Sequence, residues 1–222
     1  MDVFDAIRTR RSVRKYKDQN VPWDNIINIL HAGRLAPSAG NLQSWKFIVV
    51  KDDKKRSSIA KACVEQEWME VAPIHIVVLA EPKKTERHYG TRGGRLYVIQ
   101  ECAAAIENML LTAHSLGLGA CWVGAYDEDE IWRILGLPEE ISVQGIITIG
   151  YADETPEPPP KKRIEHIMYF DRWWGRIETP RTHLGWLSVA NMRAVYEGKK
   201  FAKKVHKKIK DKVKEKFGGK DK

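Results

Sequence analysis

Near the start of the chain, the stretch RTRRSVRKY over residues 8–16 concentrates positive charge. Its cations are Arg8, Arg10, Arg11, Arg14 and Lys15. The stretch contains no acid, and like charges repel one another in a folded protein. Either all five cations point into water, or some of them face an anion that the chain does not supply. Because arginine forks bind phosphate oxygens in pairs, a bound phosphate is the functional interpretation.

Two other stretches suit the same chemistry. PKKR, residues 160–163, adds cations beside a proline-rich turn. APSAGNLQSW, residues 36–45, is a polar turn rich in small residues between a predicted helix and a predicted strand. Each stretch alone is more often an ordinary solvated surface or turn, but together the cationic ones could hold a phosphorylated cofactor.

Several common catalytic and nucleotide-binding signatures are missing from the sequence. GLGACWVG has Trp122 where a dinucleotide fingerprint needs its third glycine, and there is no phosphate-binding loop of the Walker type. No spacing suggests a catalytic triad or a metal site, and His114 is predicted to be a hydrogen-bonded core histidine. The three cysteines are far apart and are predicted to be buried thiols. They are Cys63, Cys102 and Cys121.

The net charge of +9 belongs to the end of the chain. Residues 199–222 contain twelve lysines and three acids, so the remainder is neutral and does not resemble a general polyanion-binding protein. Apolar residues recur there at every fourth position over 201–217, which predicts an amphipathic helix. Two interpretations stay open: this tail docks on the body of the protein or on a partner subunit, or it contacts an anionic surface. The absence of a secretory signal or a long apolar run predicts a cytoplasmic protein with one main domain.

Hydrophobic periodicity predicts the elements that must position these residues. Helices are expected over residues 2–9, over VPWDNIINILHAGRLAPS, between the predicted strands at 46–50 and 74–80, from Tyr97 to Leu116, and after an Asp127 N-cap. Strands are expected at 46–50 and 74–80 and within VQGIITIGYA. This succession indicates an α/β or α+β domain, with the basic stretch connecting the first two helices.

Five blocks in this order resemble the nitroreductase family of FMN-dependent NAD(P)H oxidoreductases. They are RRSVRKY, APSAGNLQSWKFIVV, QEWMEVAPIHIVV, AAAIENMLLTAHSLGLGACWVGA and GIITIGYA…PPPKKR, and they span about residues 1–165. The resemblance implies an α+β fold with a central mixed, mainly antiparallel sheet flanked by helices, in a homodimer. We therefore expect an FMN-binding domain over 1–175, a helical extension over 176–198 and the lysine-rich tail over 199–222.

The same resemblance assigns roles to individual residues around FMN. It implies that Arg10, Arg11, Ser12 and Arg14 bind FMN, with Arg14 by the flavin ring, and that Lys161 and Arg163 return to the phosphate. It implies that Pro37, Ser38 and Asn41 contact FMN from the partner subunit, that Gln66 pairs with the pyrimidine edge, and that the backbone at Trp122, Val123 and Gly124 faces N5. Two positions depart from the family pattern: Ser44 replaces a frequent proline, and Gln100 with Glu101 replaces a more usual acid.

The activity implied is hydride transfer from NADH or NADPH through flavin N5 to a quinone, a nitroaromatic or another flavin. Without a dinucleotide domain, donor and acceptor are expected to use one site in turn, with ping-pong kinetics. The alanine-rich long helix independently favours two chains packing closely. Alternatives are a specialised enzyme of the same fold, such as a reductive dehalogenase or a flavin-destroying enzyme, and a basic membrane- or nucleic-acid-associated module that binds flavin.

Overall fold

An antiparallel sheet of four strands lies at the centre of the fold, in a computed structural model that describes residues 1–175. The strands are β1 Trp45–Val50, β2 Ile74–Ala80, β3 Gly119–Val123 and β4 Ser142–Gly150, in the order β1-β2-β4-β3. Parallel pairing is limited, within the described residues, to a bridge between Ser12 and Ala120. The predicted mainly antiparallel α+β fold is therefore confirmed.

Six α-helices surround this sheet in the described part of the chain. They are α1 Val3–Thr9, α2 Trp23–Arg34, α3 Asp53–Ala62, α4 Pro82–Arg92, α5 Val98–Ser115 and α6 Glu128–Leu135. The long helix predicted from Tyr97 to Leu116 is confirmed as α5, and a π-helical turn over Gly93–Tyr97 leads into it. Asp127 caps α6, as predicted, because its carboxylate accepts the Glu130 N–H at 3.0 Å.

Alternating side chains of β2 divide the core into two layers. Ile76 and Val78 pack with α2 and α5 on one face of the sheet, while Val77 and Leu79 pack with α3 and α6 on the other. All seven residues of β2 are buried, and all of them except His75 are apolar. Helices α2 and α5 approach closely at Gly33, where a Cβ would lie 2.2 Å from Met109 Cε.

The apolar face of α1 is exposed in the part of the chain that the structure describes. Val3, Phe4 and Ile7 predict a helix correctly, yet they are 74%, 75% and 55% exposed. The end of the helix is tied to α5 instead, because Thr9 Oγ1 lies 2.8 Å from His114 Nε2. An exposed apolar set of this kind marks an interaction surface.

The chain divides into two compact units, Met1–Pro158 and a second unit that starts at Pro159. The predicted helical extension and lysine-rich tail lie outside the described residues. The three cysteines are buried and free, as predicted. In the part of the chain that the structure describes, no helix combines the length and apolar character needed to cross a bilayer.

Candidate functional site

The basic stretch forms an extended segment along the outer edge of β3. The Val13 N–H donates to the Ala120 carbonyl at 3.1 Å, and Tyr16 makes a second bridge, to Ala152. Gly119 permits this approach, because a Cβ there would lie 2.9 Å from Val13 Cγ1. Four residues after α1 ends, the segment is therefore fixed to the sheet.

Three of the predicted phosphate ligands share one side of the segment, because side chains alternate along extended backbone. Val13 points into the protein and is only 6% exposed, so Arg10, Ser12 and Arg14 lie on the opposite side. The pKa of the buried Cys121 thiol is raised by burial, while the Arg14 charge, a hydrogen bond with Ser12 and the Arg10 charge lower it. Two guanidinium groups and a hydroxyl on one side of a segment are a donor set that fits a phosphate.

The chain itself supplies anions to this segment, so that part of the sequence interpretation is wrong. Arg8 pairs with Asp5 at 3.0 Å, and Arg10 Nε lies 3.8 Å from Glu107 Oε1. The Glu154 carboxylate accepts the backbone N–H groups of Arg14 and Lys15, at 2.6 and 3.1 Å. Glu154 binds the backbone at Arg14 and not its guanidinium, and Glu107 approaches Arg10 only at Nε, so guanidinium donors of both arginines remain for an external anion.

Arg11 and Arg14 take different positions in the segment. Arg11 Nη1 donates to the carbonyls of Arg8 and Arg10, at 3.0 and 2.6 Å, so one of its donors is used within the segment. The Arg14 guanidinium lies over the Trp68 ring, 5.8 Å from its centroid, a cation–π contact that holds the charge in place. Arg14 therefore links the predicted phosphate ligands to the turn that carries Trp68.

That turn also positions Gln66, the residue predicted to meet the pyrimidine edge. Gln66 precedes a 3₁₀ turn over Glu67–Val71, and its Nε2 donates to the Cys63 carbonyl at 2.8 Å. With the amide nitrogen held inside the loop, the side-chain oxygen is the atom left to accept a hydrogen bond. Val64 and Glu65, with φ values of 59° and 53°, form a strained turn just before it.

The stretch APSAGNLQSW, residues 36–45, forms a loop that we call the PSAGN loop. One buried carboxylate holds it, that of Glu101 in α5, which is 4% exposed. Its Oε1 accepts the Ala39 N–H at 3.2 Å, and its Oε2 accepts the Ser44 N–H at 3.4 Å. Between these two anchors, Asn41 and Gln43 adopt positive φ values of 56° and 52°. Non-glycine residues keep such a backbone only where their surroundings fix it, and Glu101 does so here.

The two departures from the family pattern are parts of this one arrangement. A proline at position 44 has no N–H to donate, so serine there makes the bond to Glu101 possible. The Ser44 hydroxyl is fully buried and lies 2.6 Å from Thr85 Oγ1. Ser44 and Glu101 therefore set the shape of the loop that carries Ser38 and Asn41. Pro37 and Asn41 themselves are exposed.

The last predicted site residues lie at the end of β3 and in the second unit. Trp122 is 40% exposed, Val123 is buried and Gly124 is exposed where the strand ends. In the second unit, Lys161 is exposed, and Arg163 Nε lies 3.4 Å from Glu165 Oε2. Contact of Lys161 and Arg163 with the flavin phosphate stays a prediction.

Two histidines differ from the sequence interpretation. His114 is hydrogen-bonded as predicted but only half-buried, and burial followed by the Arg10 and Arg11 charges lowers its pKa. The core histidine is His75 of β2, which sequence reasoning missed. Burial is the largest effect on it and lowers its pKa to about 4, and its Nδ1 has no hydrogen-bond partner in residues 1–175. Its place inside the apolar run IHIVVLA is the signal that could have identified it.

Comparisons with known proteins identify a family and several similar chains. The family model described as "Nitroreductase family" matches residues 7–68 and 61–151. A relative from Archaeoglobus fulgidus, named NADH dehydrogenase/NAD(P)H nitroreductase, is 40% identical over 154 residues, covering 68% of this chain and 85% of its own. An NADH dehydrogenase from Thermus thermophilus is 28% identical, over 76% of this chain and 95% of its own.

A solved structure of the same family superposes on most of the chain. The FMN-dependent nitroreductase from Clostridium difficile R20291 has a TM-score of 0.67 and 30% sequence identity, covering 77% of this chain and 99% of its own.

Proposed function

Because the chain belongs to the nitroreductase family and is an NAD(P)H oxidoreductase, we propose that it binds FMN and uses it to reduce a small acceptor. Acceptors of the proposed class are quinones, nitroaromatic compounds and free flavins. The observation that supports the proposal is the placement of Arg10, Ser12 and Arg14 on one side of the extended segment beside β3. The family is flavin-dependent, and FMN offers the terminal phosphate that this donor set fits.

Each group of residues has a separate task around FMN. Arg10 and Ser12 bind the phosphate, and Arg14, held over Trp68, places a positive charge beside the ring. The free oxygen of Gln66 accepts a hydrogen bond from the pyrimidine edge. Bound FMN supplies the redox chemistry, accepting a hydride at N5 and passing reducing equivalents to the acceptor. No side-chain nucleophile is needed, because the protein binds, orients and tunes the cofactor.

The architecture supports a proposal for how NAD(P)H binds. The antiparallel sheet of the described chain has no parallel βαβ unit, the structure on which dinucleotide-binding domains are built. We therefore propose that the nicotinamide docks on the flavin and leaves before the acceptor takes the same place. This order of events gives ping-pong kinetics.

A homodimer is part of the proposal. The exposed apolar side chains of α1 need a partner, and a second copy of the chain is the partner that the family resemblance supplies. Pro37 and Asn41, exposed on their loop, would then complete the FMN site of the other subunit. Contact of the lysine-rich tail with an anionic surface stays a prediction from its sequence.

The test is a steady-state assay of the purified full-length chain against quinones, nitroaromatics, free flavins and a halogenated phenol, with NADH and NADPH as donors. We expect reduction of at least one of the first three classes and parallel lines in double-reciprocal plots. Arg10→Ala is expected to raise the dissociation constant of FMN tenfold or more through loss of a charge-assisted bond, whereas Lys55→Ala on α3 leaves it unchanged. Intersecting lines would refute the shared site, and exclusive turnover of the halogenated phenol would favour the dehalogenase alternative.

A further inference from the structure

A strongly basic segment follows β2 and was not assigned a role by the sequence. It comprises α4 and the π-helical turn after it, residues 82–97. Its charged residues are Lys83, Lys84, Arg87, Arg92 and Arg95, against the single acid Glu86. None of the five cations forms an ion pair with another residue of the described chain. The segment therefore presents uncompensated positive charge.

This segment is fixed against the PSAGN loop by three contacts. Lys84 Nζ donates to the Gln43 carbonyl at 3.5 Å, and Thr85 Oγ1 meets Ser44 Oγ at 2.6 Å. The Tyr89 hydroxyl lies over Gly40, where a Cβ would be 2.5 Å from it. The charge is consequently held beside the loop that the proposed function places at the flavin.

Arg92 contacts a residue that lines a cavity. Its guanidinium is 5.7 Å from the centroid of the Tyr97 ring. Tyr97 lines a pocket of about 280 Å³ together with Ser38 and Glu101. Tyr89 packs edge-on against Tyr97, with 5.5 Å between ring centroids. Arg92 thus lies next to this pocket through its contact with Tyr97, and its side chain is exposed.

The backbone brings Arg92 to this position by breaking the helix. Gly90, with φ 61° and ψ −161°, interrupts the helical conformation of α4 two residues earlier. Gly93 then allows the chain to pack closely, because a Cβ there would lie 2.6 Å from the Thr85 carbonyl oxygen. Arg87, by contrast, lies about half a turn away from Thr85 and Tyr89 on the face directed to solvent.

We propose that Arg92 binds the 2′-phosphate of NADPH, so that the enzyme favours NADPH over NADH. This inference rests on the proposed function, since it needs the nicotinamide to dock at the flavin. The described chain offers no dinucleotide-binding domain, so the phosphates of the donor need another cationic surface. Arg92 has a planar fork suited to a phosphate, is pre-oriented by Tyr97, and adjoins the loop at the proposed active site.

The experiment compares Arg92→Gln, Arg92→Lys and the matched control Arg87→Gln in the flavin-loaded full-length enzyme. Donors are NADPH, NADH and 1-benzyl-1,4-dihydronicotinamide, which has the reducing ring but no phosphate. Loss of a charge-assisted bond predicts that Arg92→Gln raises KM for NADPH about tenfold, and KM for NADH by less, without changing kcat. KM for the phosphate-free donor stays unchanged. Arg92→Lys restores part of the affinity, and Arg87→Gln changes KM for NADPH less than twofold.

Two results would overturn the inference. One is a KM for NADPH in Arg92→Gln that stays within twofold of the wild-type value. The other is an equal rise of KM for the phosphate-free donor, which would mean that loss of Arg92 only distorts the pocket around Tyr97. Failure of the proposed function would give a different result, because the wild-type protein would then bind no flavin and would not oxidise even the phosphate-free donor.

Discussion

Replacement of Glu101 should loosen the PSAGN loop without unfolding the enzyme. The carboxylate accepts two backbone N–H groups, from Ala39 and Ser44, and the second of these residues is fully buried. A hydrogen bond to a charged group contributes about 1.5–3 kcal/mol, and distances of 3.2 and 3.4 Å favour the lower end. Glu101→Ala is therefore expected to lower the free energy of unfolding by about 3 kcal/mol.

Glu101→Gln gives a graded comparison. The amide retains one acceptor oxygen, but its NH₂ group faces the remaining N–H donor. We therefore expect the free energy of unfolding to fall by about 1–2 kcal/mol. Because Asn41 and Gln43 relax from their positive φ values once the anchors weaken, affinity for FMN should fall about tenfold in Glu101→Ala. The matched control is Glu130→Gln on α6, whose exposed pair with Arg133 is worth less than about 1 kcal/mol.

Urea unfolding of each apoprotein and fluorescence titration with FMN measure the two effects separately. A destabilisation of Glu101→Ala no larger than that of Glu130→Gln would refute the anchoring argument. A destabilised Glu101→Ala variant with unchanged FMN affinity would show that the loop does not contribute to the flavin site.

Other predictions concern the core, the dimer and the tail. His75 has a folded-state pKa of about 4, below its ordinary value of 6.5, so its contribution to stability is complete above pH 6.5 and declines as the pH falls towards 4. Between pH 7 and pH 5, the free energy of urea unfolding should therefore fall by about 2 kcal/mol more in the wild-type protein than in His75→Gln. Equal decreases in the two proteins would contradict the burial argument. Mixed dimers of Arg14→Ala and Asn41→Ala subunits should regain up to about half of the wild-type flavin and activity, because both substitutions fall in one of the two sites. No recovery in a verified heterodimer would mean that each site is built within one chain. Removal of residues 199–222 should abolish binding to anionic vesicles while leaving the melting temperature unchanged if the tail meets a surface, whereas a large loss of stability would indicate docking on the protein.

The secondary structure followed from the sequence because its signals are local. Periodicity, the Asp127 cap and the β-branched strand at 74–80 each depend on neighbours within a few residues. The pairing of strands depends on residues far apart in sequence, so the antiparallel order was implied by the family resemblance rather than by the pattern. The exposure of the α1 face could not be foreseen either, since helical spacing shows a face but not what covers it.

The candidate site was predictable in its residue types and only partly in its contacts. Alternation along residues 10–14 sorts the arginines once the segment is known to be extended, but the anions near them lie at distant positions such as Glu107 and Glu154. The pair between Asp5 and Arg8 was predictable from the sequence, because the two residues lie three positions apart on the same helix. The role of Glu101 appears only when α5 is packed against the loop at Ser44.

The central claim, that this chain is an FMN-dependent NAD(P)H oxidoreductase, is tested most directly on the purified full-length protein. Its flavin is released by denaturation and identified by chromatography, and the native protein is then mixed with NADPH without oxygen. We predict about one FMN per chain, loss of the yellow colour on mixing, and its return when a quinone is added. A protein that binds FAD instead, or that cannot be reconstituted with FMN, would contradict the account.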